Sequence, residues 1–128
     1  MIEVEIENRS GVPVDAPAAV ALARHVLTVE GLDWAELGIA FVAPDEIRGL
    51  KAHHLGLDEE TDVLSFPIDG RDELPDGVPR ALGDVVLCPQ VVGDEWRWPL
   101  VHGLLHLLGY DHGHSMETRE RALLGVDE

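Results

Sequence analysis

The most constraining stretch of this chain is VHGLLHLLGYDHGH, residues 101–114, which carries four histidines among its leucines. A helix this rich in leucine gains stability by burying it, and an imidazole buried there needs a polar partner. His102 and His106 are four residues apart, so a helix places them on the same side, about 5–6 Å apart at Cβ. This spacing lets two imidazoles bind one metal ion.

A turn after this helix would supply a third ligand. Gly109 suits the left-handed conformation that ends many helices, and such a turn brings His112 back toward the helix. The pattern H-x-x-x-H-x-x-G-x-x-H therefore predicts three neutral nitrogen ligands, namely His102, His106 and His112. His114 is the alternative third ligand, and a chance scatter of histidines is the competing interpretation.

The predicted ligand set indicates which metal and which chemistry to expect. Three protein ligands and an open fourth position are typical of catalytic zinc, so we expect one Zn²⁺ per chain. Nickel or another divalent ion would fit the same three imidazoles. Zinc peptidases of the H-E-x-x-H class place a glutamate base after the first histidine, but here that residue is Gly103. The ligand spacing resembles that of a metzincin, yet Met116 follows His112 too closely for the downstream methionine turn, so peptide hydrolysis is disfavoured.

Length and composition predict one domain spanning residues 1–128. No run approaches the roughly 18 consecutive apolar residues needed to cross a bilayer. The N-terminal sequence MIEVEIENRS lacks the features of a secretory signal, which predicts a cytoplasmic protein without a membrane partner. The single Cys88 fits a reducing compartment and is interpreted as a small buried hydrophobic residue.

The charge restricts the partners. Twenty-five acidic residues against nine basic residues give a net charge of −16, which repels free nucleic acid. We therefore expect no DNA partner. An RNA substrate would require a local cationic centre, such as a metal ion, or a partner that presents the RNA.

Hydrophobic periodicity predicts the element order β-α-β-α-β-β-α-α, which indicates an α+β domain with a mixed sheet. The predicted strands lie within residues 2–8, 36–44, 61–67 and 83–89. The predicted helices lie within residues 15–32, 44–56, 95–109 and 115–125. Asp15 and Asp45 are the expected N-caps of the first two helices, and Gly31 the expected stop of the first. The segment 68–82 is dense in Gly, Pro and Asp and predicts an irregular loop.

Three blocks of the sequence carry a resemblance to a known family. HGLLHLLGYDH, TDVLSFP and LGDVVLCP, in their order and spacing, are similar to the YbeY family of bacterial metal-dependent endoribonucleases, and the match extends from the first strand onward. The resemblance implies an α+β fold with a four-stranded sheet and zinc held by His102, His106 and His112. It also implies single-strand-specific cleavage of ribosome-bound rRNA, in 16S rRNA 3′-end maturation and ribosome quality control.

Two departures from the family pattern concern RNA binding and the last helix. Many members carry an arginine where this chain has Leu55, and it is thought to meet the RNA backbone. Residues that could replace it lie nearby: Arg48, Lys51, His53 and His54. The final helix is short and lacks the family's usual methionine and longer acidic tail. It keeps Glu117, five residues after His112, where the family commonly has glutamate.

Several other residues are candidates for the chemistry. The general base is zinc-bound hydroxide itself, Asp84 or Asp111, and the sequence does not distinguish them. Asp111 is equally suited to orienting a ligand or to a solvated turn. Ser65 is a candidate for positioning RNA, with a strand-ending turn as the alternative, and Tyr110 is a candidate donor to substrate or a packing residue.

The alternatives for partners are also open. Arg71 and Arg80 are candidates for phosphate contacts, with solvated loop charge as the simpler interpretation. A noncatalytic assembly factor that docks on ribosomal proteins or on an assembly GTPase is the main alternative to an enzyme, since an acidic surface suits basic partners.

Overall fold

The fold is a computed structural model that describes residues 2–55, 63–70, 72–110 and 114–125, without the side chains of residues 54, 55 and 114. The strands are β1 (Ile2–Asn8), β2 (Ala35–Phe41), β3 (Val63–Pro67) and β4 (Ala81–Leu87). The helices are α1 (Ala16–Val29), α2 (Pro44–Leu55), α3 (Pro89–Val92), α4 (Arg97–Leu107) and α5 (His114–Leu124), with a 3₁₀ turn at Gly93–Glu95.

The strands form one mixed sheet in the order β1-β2-β4-β3. β1, β2 and β4 run parallel, and β3 pairs antiparallel with β4 at the edge. The crossover through α1 makes β1 and β2 parallel neighbours, whereas the shorter connection from β3 to β4 reverses the chain. The predicted α+β fold with a mixed four-stranded sheet is confirmed.

The main core lies on the face of the sheet that α1 and α4 cover. β2 alternates buried and partly exposed residues, as a strand with one covered face does. Helices and strands contribute apolar side chains to this core, and its largest fully buried members are Phe41, Leu27, Ile39, Leu82, Leu87, Leu100, Leu104, Leu105, Leu107, Met116 and Val26. Because α4 packs on β3 and β4, its position is fixed by the sheet.

The opposite face of the sheet is only partly covered. A smaller core forms there where Ile47 and Leu50 of α2 pack against Leu64, Phe66 and Val86. The remainder of this face is exposed and acidic, and its carboxylates are Glu3, Glu5 and Glu7 of β1, Glu36 of β2 and Asp84 of β4. We call this surface the acidic sheet face.

Local sequence signals account for most element boundaries. The Asp15 side chain accepts a hydrogen bond from the backbone N–H of Ala18 and caps α1, and Gly31 follows the helix with φ +89°, as predicted. The prediction that Asp45 caps α2 is wrong, because the helix begins at Pro44 and Asp45 lies in its first turn. The four-residue α3 was not predicted.

The segment expected to be an irregular loop partly extends the sheet. Backbone N–H groups of Ile68 and Asp69 donate to the carbonyls of Leu82 and Ala81, so β4 begins inside the predicted loop. Within the described parts of the chain, none of the helices is both long enough and apolar enough to span a bilayer.

Candidate metal centre

Helix α4 carries His102 and His106 on the side that is not occupied by its fully buried residues. It is apolar over most of its circumference, and its buried residues are Leu100, Val101, Gly103, Leu104, Leu105 and Leu107. His102 and His106 are half-buried, and the side chain of His102 is 27% exposed. The leucines therefore anchor the helix while the imidazoles keep access to solvent.

The two imidazoles converge through their Nε2 atoms, as the i, i+4 spacing predicts. The Nε2 atoms of His102 and His106 lie 3.1 Å apart, and the ring planes meet at 83° with their centroids 4.6 Å apart. Two nitrogens bound to one tetrahedral zinc at about 2.0–2.1 Å would be about 3.3–3.4 Å apart. The observed separation therefore fits two ligands of one small cation.

The Nδ1 atoms of both rings are engaged on the other side. Nδ1 of His102 lies 2.9 Å from Oε1 of Glu120, and Nδ1 of His106 lies 3.0 Å from the backbone oxygen of Tyr110. Carboxylate and carbonyl oxygens accept hydrogen bonds, so Nδ1 of each ring is placed to donate, and a neutral ring that donates from Nδ1 has a lone pair on Nε2. Two converging lone pairs favour a cation between them. Metal-binding histidines use such oxygen partners to fix tautomer and ring orientation.

The turn that follows α4 has the expected form. Gly109 adopts φ +95°, and the backbone N–H of Tyr110 donates to the carbonyl of Leu105. The structure describes the helix and the glycine turn as far as Tyr110, and the metzincin-like arrangement stays a prediction. His112 and Asp111 lie outside the described residues, as does the side chain of His114, so the third ligand stays a prediction.

Gly103 explains why no glutamate base follows the first histidine. A Cβ at this position would lie 2.8 Å from Cγ1 of Val85 and 3.1 Å from Oγ of Ser65. The residue after His102 therefore faces the sheet, where there is no room for a side chain. This packing argues against a peptidase of the H-E-x-x-H type independently of the missing carboxylate.

Ser65 lies against α4 and is partly exposed. Its hydroxyl donates to the backbone carbonyl of Gly103 over 3.0 Å. This bond ties β3 to the helix one residue from His102. The structure thus supports a positioning role for Ser65 within the fold, and its predicted contact with RNA remains a prediction.

Asp84 lies on the other side of the sheet from the histidines. Its cross-strand neighbour is Phe66. Its carboxylate occupies the space that a Cβ on Gly38 would fill. Val85, the next residue, faces α4. The structure does not bring Asp84 together with His102 and His106, because the sheet separates them, and we do not assign it the role of general base.

The residues predicted as candidates for phosphate contacts have structural partners, lie away from the histidines or lie outside the described residues. Arg80 donates to the carbonyl of Gly70 and fastens the loop, and Arg71 lies outside the described residues. Arg48, Lys51 and His53 are on α2, which packs on the opposite face of the sheet from α4. His54 and Leu55 end this helix, but their side chains are not described, so the phosphate-binding predictions remain predictions.

Glu120 is a functional candidate that the sequence reasoning missed. Glu117, which the family resemblance favoured, is exposed, whereas Glu120 is buried and contacts His102. A signal existed: Met116, Glu120 and Leu123 share one helical face, so a carboxylate interrupts an apolar stripe. A buried carboxylate requires a partner.

Tyr110 takes part in a second group that was missed. Its hydroxyl donates to Oε1 of Glu30 over 2.8 Å, and Nε of Arg119 donates to Oε2 of the same carboxylate. The hydrogen bond to Glu30 raises the pKa of the Arg119 guanidinium. The packing alternative for Tyr110 is thus supported, since the ring also lies against the main core.

Comparison with known proteins gives a consistent family assignment. A family model described as "Endoribonuclease YbeY" matches residues 5–124. Proteins of that name from Salinispora tropica and Beutenbergia cavernae are 40% and 42% identical to this chain, each covering 93% of it and 88% and 89% of their own length. One from Acidothermus cellulolyticus is 44% identical and covers 91% of this chain and 83% of its own length.

A solved structure supports the fold. The solution structure of a Thermotoga maritima protein superposes with a TM-score of 0.56 at 24% sequence identity, covering 97% of this chain and 87% of that protein. At this identity the likeness bears on the fold alone, and it agrees with the mixed four-stranded sheet and its helices.

Proposed function

The chain belongs to the YbeY family of endoribonucleases, and on this basis we propose that it is a zinc-dependent endoribonuclease that cuts single-stranded RNA in 16S rRNA 3′-end maturation. The observation that carries the proposal is the convergence of Nε2 of His102 and His106 at 3.1 Å. Both Nδ1 atoms face oxygen acceptors, so both lone pairs are available to one ion.

The residues of the centre have distinct roles in this proposal. His102, His106 and His112 hold the ion, and Glu120 and the carbonyl of Tyr110 fix the orientation of the first two rings. When bound, zinc supplies a Lewis acid and a water molecule of lowered pKa. Asp111 adjoins the third ligand in sequence and remains the candidate carboxylate base.

The charge of the chain favours a substrate held by other molecules. With a net charge of −16, the average surface repels phosphate, and the ion is the local attractor. We therefore propose ribosome-bound rRNA as the physiological substrate and ribosome quality control as the context. This substrate implies a cytoplasmic protein.

Metal loading and RNA cleavage, measured together, test the proposal. Wild type is expected to bind one equivalent of Zn²⁺ and to cut a single-stranded RNA but not its duplex, with activity lost on chelation. His102→Ala should lose both binding and cleavage, since two of three ligands hold zinc poorly. His25→Ala, at an exposed position on α1, is the matched control and should retain both. Metal-independent cleavage by wild type would refute the proposal.

A second candidate function is noncatalytic ribosome assembly, and the acidic sheet face favours it. Cavities of about 640 Å³ and 180 Å³ lie side by side on this face, both lined by Glu5, Gly38 and Asp84. The exposed carboxylates complement a Lys- and Arg-rich segment of a ribosomal protein. If this is the main function, Glu5→Gln/Asp84→Asn should lose affinity for small ribosomal subunits, and His102→Ala should still support maturation.

A further inference from the structure

Glu30 is a buried carboxylate outside the metal centre. It is the C-cap residue of α1, and its side chain is only 2% exposed. Burial of an ionised carboxylate is costly unless it is paired and hydrogen-bonded. Glu30 meets both conditions, because one oxygen accepts from the Tyr110 hydroxyl and the other from the Arg119 guanidinium.

These contacts connect Glu30 to His106 through Tyr110, and to His102 through Arg119 and its chain neighbour Glu120. Tyr110 holds Glu30 with its hydroxyl and accepts from Nδ1 of His106 with its backbone oxygen, over 3.0 Å. Arg119 precedes Glu120, whose carboxylate lies 2.9 Å from Nδ1 of His102. The positions of both acceptors therefore depend on residues that Glu30 holds.

The same contacts join two elements of the fold at Glu30. Tyr110 belongs to the turn that ends α4, and Arg119 belongs to α5. Glu30 thus bonds both to the turn after the histidine helix and to the helix that carries Glu120.

We propose that Glu30 is a positioning residue of the metal centre, which pre-organises the oxygen acceptors of His102 and His106 through Tyr110 and Arg119. The inference rests on the proposed function, since it requires that these histidines bind a metal. It goes beyond that function by assigning a role to a residue more than 70 positions away in the sequence.

A stabilising role alone would have a different signature. If Glu30 only stabilises the fold, its substitution lowers the unfolding temperature of the metal-free protein but leaves the zinc affinity of the folded fraction unchanged. If it positions the centre, the metal affinity and the coordination geometry change in the folded protein. The two roles therefore separate when binding is measured below the unfolding transition.

Glu30→Gln and Tyr110→Phe are the test variants. Glutamine presents an amide to Arg119 and removes the ion pair, and phenylalanine removes the hydroxyl but keeps the ring and the backbone carbonyl. Glu46→Gln is the matched control, because Glu46 also accepts from an arginine, Arg9, at an exposed site between β1 and α2. Zinc affinity is measured by competition with a chromophoric chelator, and geometry by the visible absorption of the Co²⁺-loaded protein.

The expected result is a loss of zinc affinity of about tenfold in Glu30→Gln and about fivefold in Tyr110→Phe. These losses are at or below the lower end of the roughly 10–100-fold range for residues that bond directly to metal ligands, because Glu30 acts through intermediate residues. Both variants should also show an altered Co²⁺ spectrum, while Glu46→Gln matches wild type. Wild-type affinity and spectrum in both folded variants would overturn the proposal and leave the function intact. If Glu30→Gln does not fold, Tyr110→Phe alone decides. Failure of wild type to bind zinc would overturn both proposals.

Discussion

Nδ1 of His102 on α4 lies 2.9 Å from Oε1 of Glu120, a residue 18 positions further along the chain on α5. The carboxylate is largely buried, so the contact is shielded from water. A carboxylate in this position fixes the ring and increases the basicity of the opposite nitrogen. This pair ties α5 to the candidate metal centre.

Glu120→Gln is expected to lower zinc affinity by about 10–100-fold, because the amide is a weaker acceptor and carries no charge. Glu117→Gln is the matched control, since Glu117 is exposed on the same helix. Competition titration with a chelator measures both. Equal affinities in the two variants would show that the contact does not support the centre.

Gly103→Ala is expected to destabilise the fold by about 1–3 kcal/mol through overpacking against Val85 and Ser65. Helix propensity alone would favour alanine, and Gly49→Ala on α2 serves as the comparison because a Cβ there meets nothing within 4 Å. The Gly49→Ala variant should gain up to about 1 kcal/mol of stability. Denaturant unfolding gives both values, and a stabilised Gly103→Ala would contradict the packing described.

Ser65→Ala is expected to lose about 1 kcal/mol of stability, because the hydrogen bond from the hydroxyl to the Gly103 carbonyl is removed. We expect kcat to change little, since the hydroxyl is engaged with the backbone. Thermal unfolding and single-turnover RNA cleavage measure the two effects. A fall in kcat of about 100-fold in a folded variant would instead assign Ser65 a direct part in the chemistry.

Asp84→Asn is expected to leave the cleavage of naked RNA unchanged, because the sheet separates its carboxylate from His102 and His106. Loss of a general base would lower kcat by about 100-fold or more, so the outcomes are well separated. Reduced binding to small ribosomal subunits, measured by cosedimentation, is expected if the acidic sheet face docks basic protein segments. A large fall in kcat on naked RNA would restore Asp84 as a base.

Local patterns in the sequence were sufficient for the fold class and for the two converging histidines. Strand alternation, helical spacing and the glycine stops act over a few residues, so β1, α1 and α4 follow from them directly. The three sequence blocks also identified the family, and the endoribonuclease prediction is confirmed at that level. The short α3 was missed because four residues carry too little periodicity to indicate a helix.

Contacts between distant segments were not predictable. The face of the sheet on which Asp84 lies depends on how β4 pairs with its neighbours. The apolar residues of β4 are buried on both faces of the sheet, so the sequence of this strand shows no alternation that would indicate the face. Glu30 bonds to Tyr110 and Arg119, which lie 80 and 89 positions further along the chain. A single sequence contains no signal for contacts at such separations. The position of Glu120 within an apolar stripe indicated that it would be buried. The sequence did not indicate that its partner would be His102.

The most direct test of the account is cleavage of a 16S rRNA 3′-end precursor, naked and within small-subunit particles, by wild type and His106→Ala. We expect the zinc-loaded wild type to cut the particle-bound precursor, and the chelated wild type and the folded variant not to cut either form. Equal cleavage by His106→Ala, or by wild type without metal, would contradict a catalytic metal centre on α4.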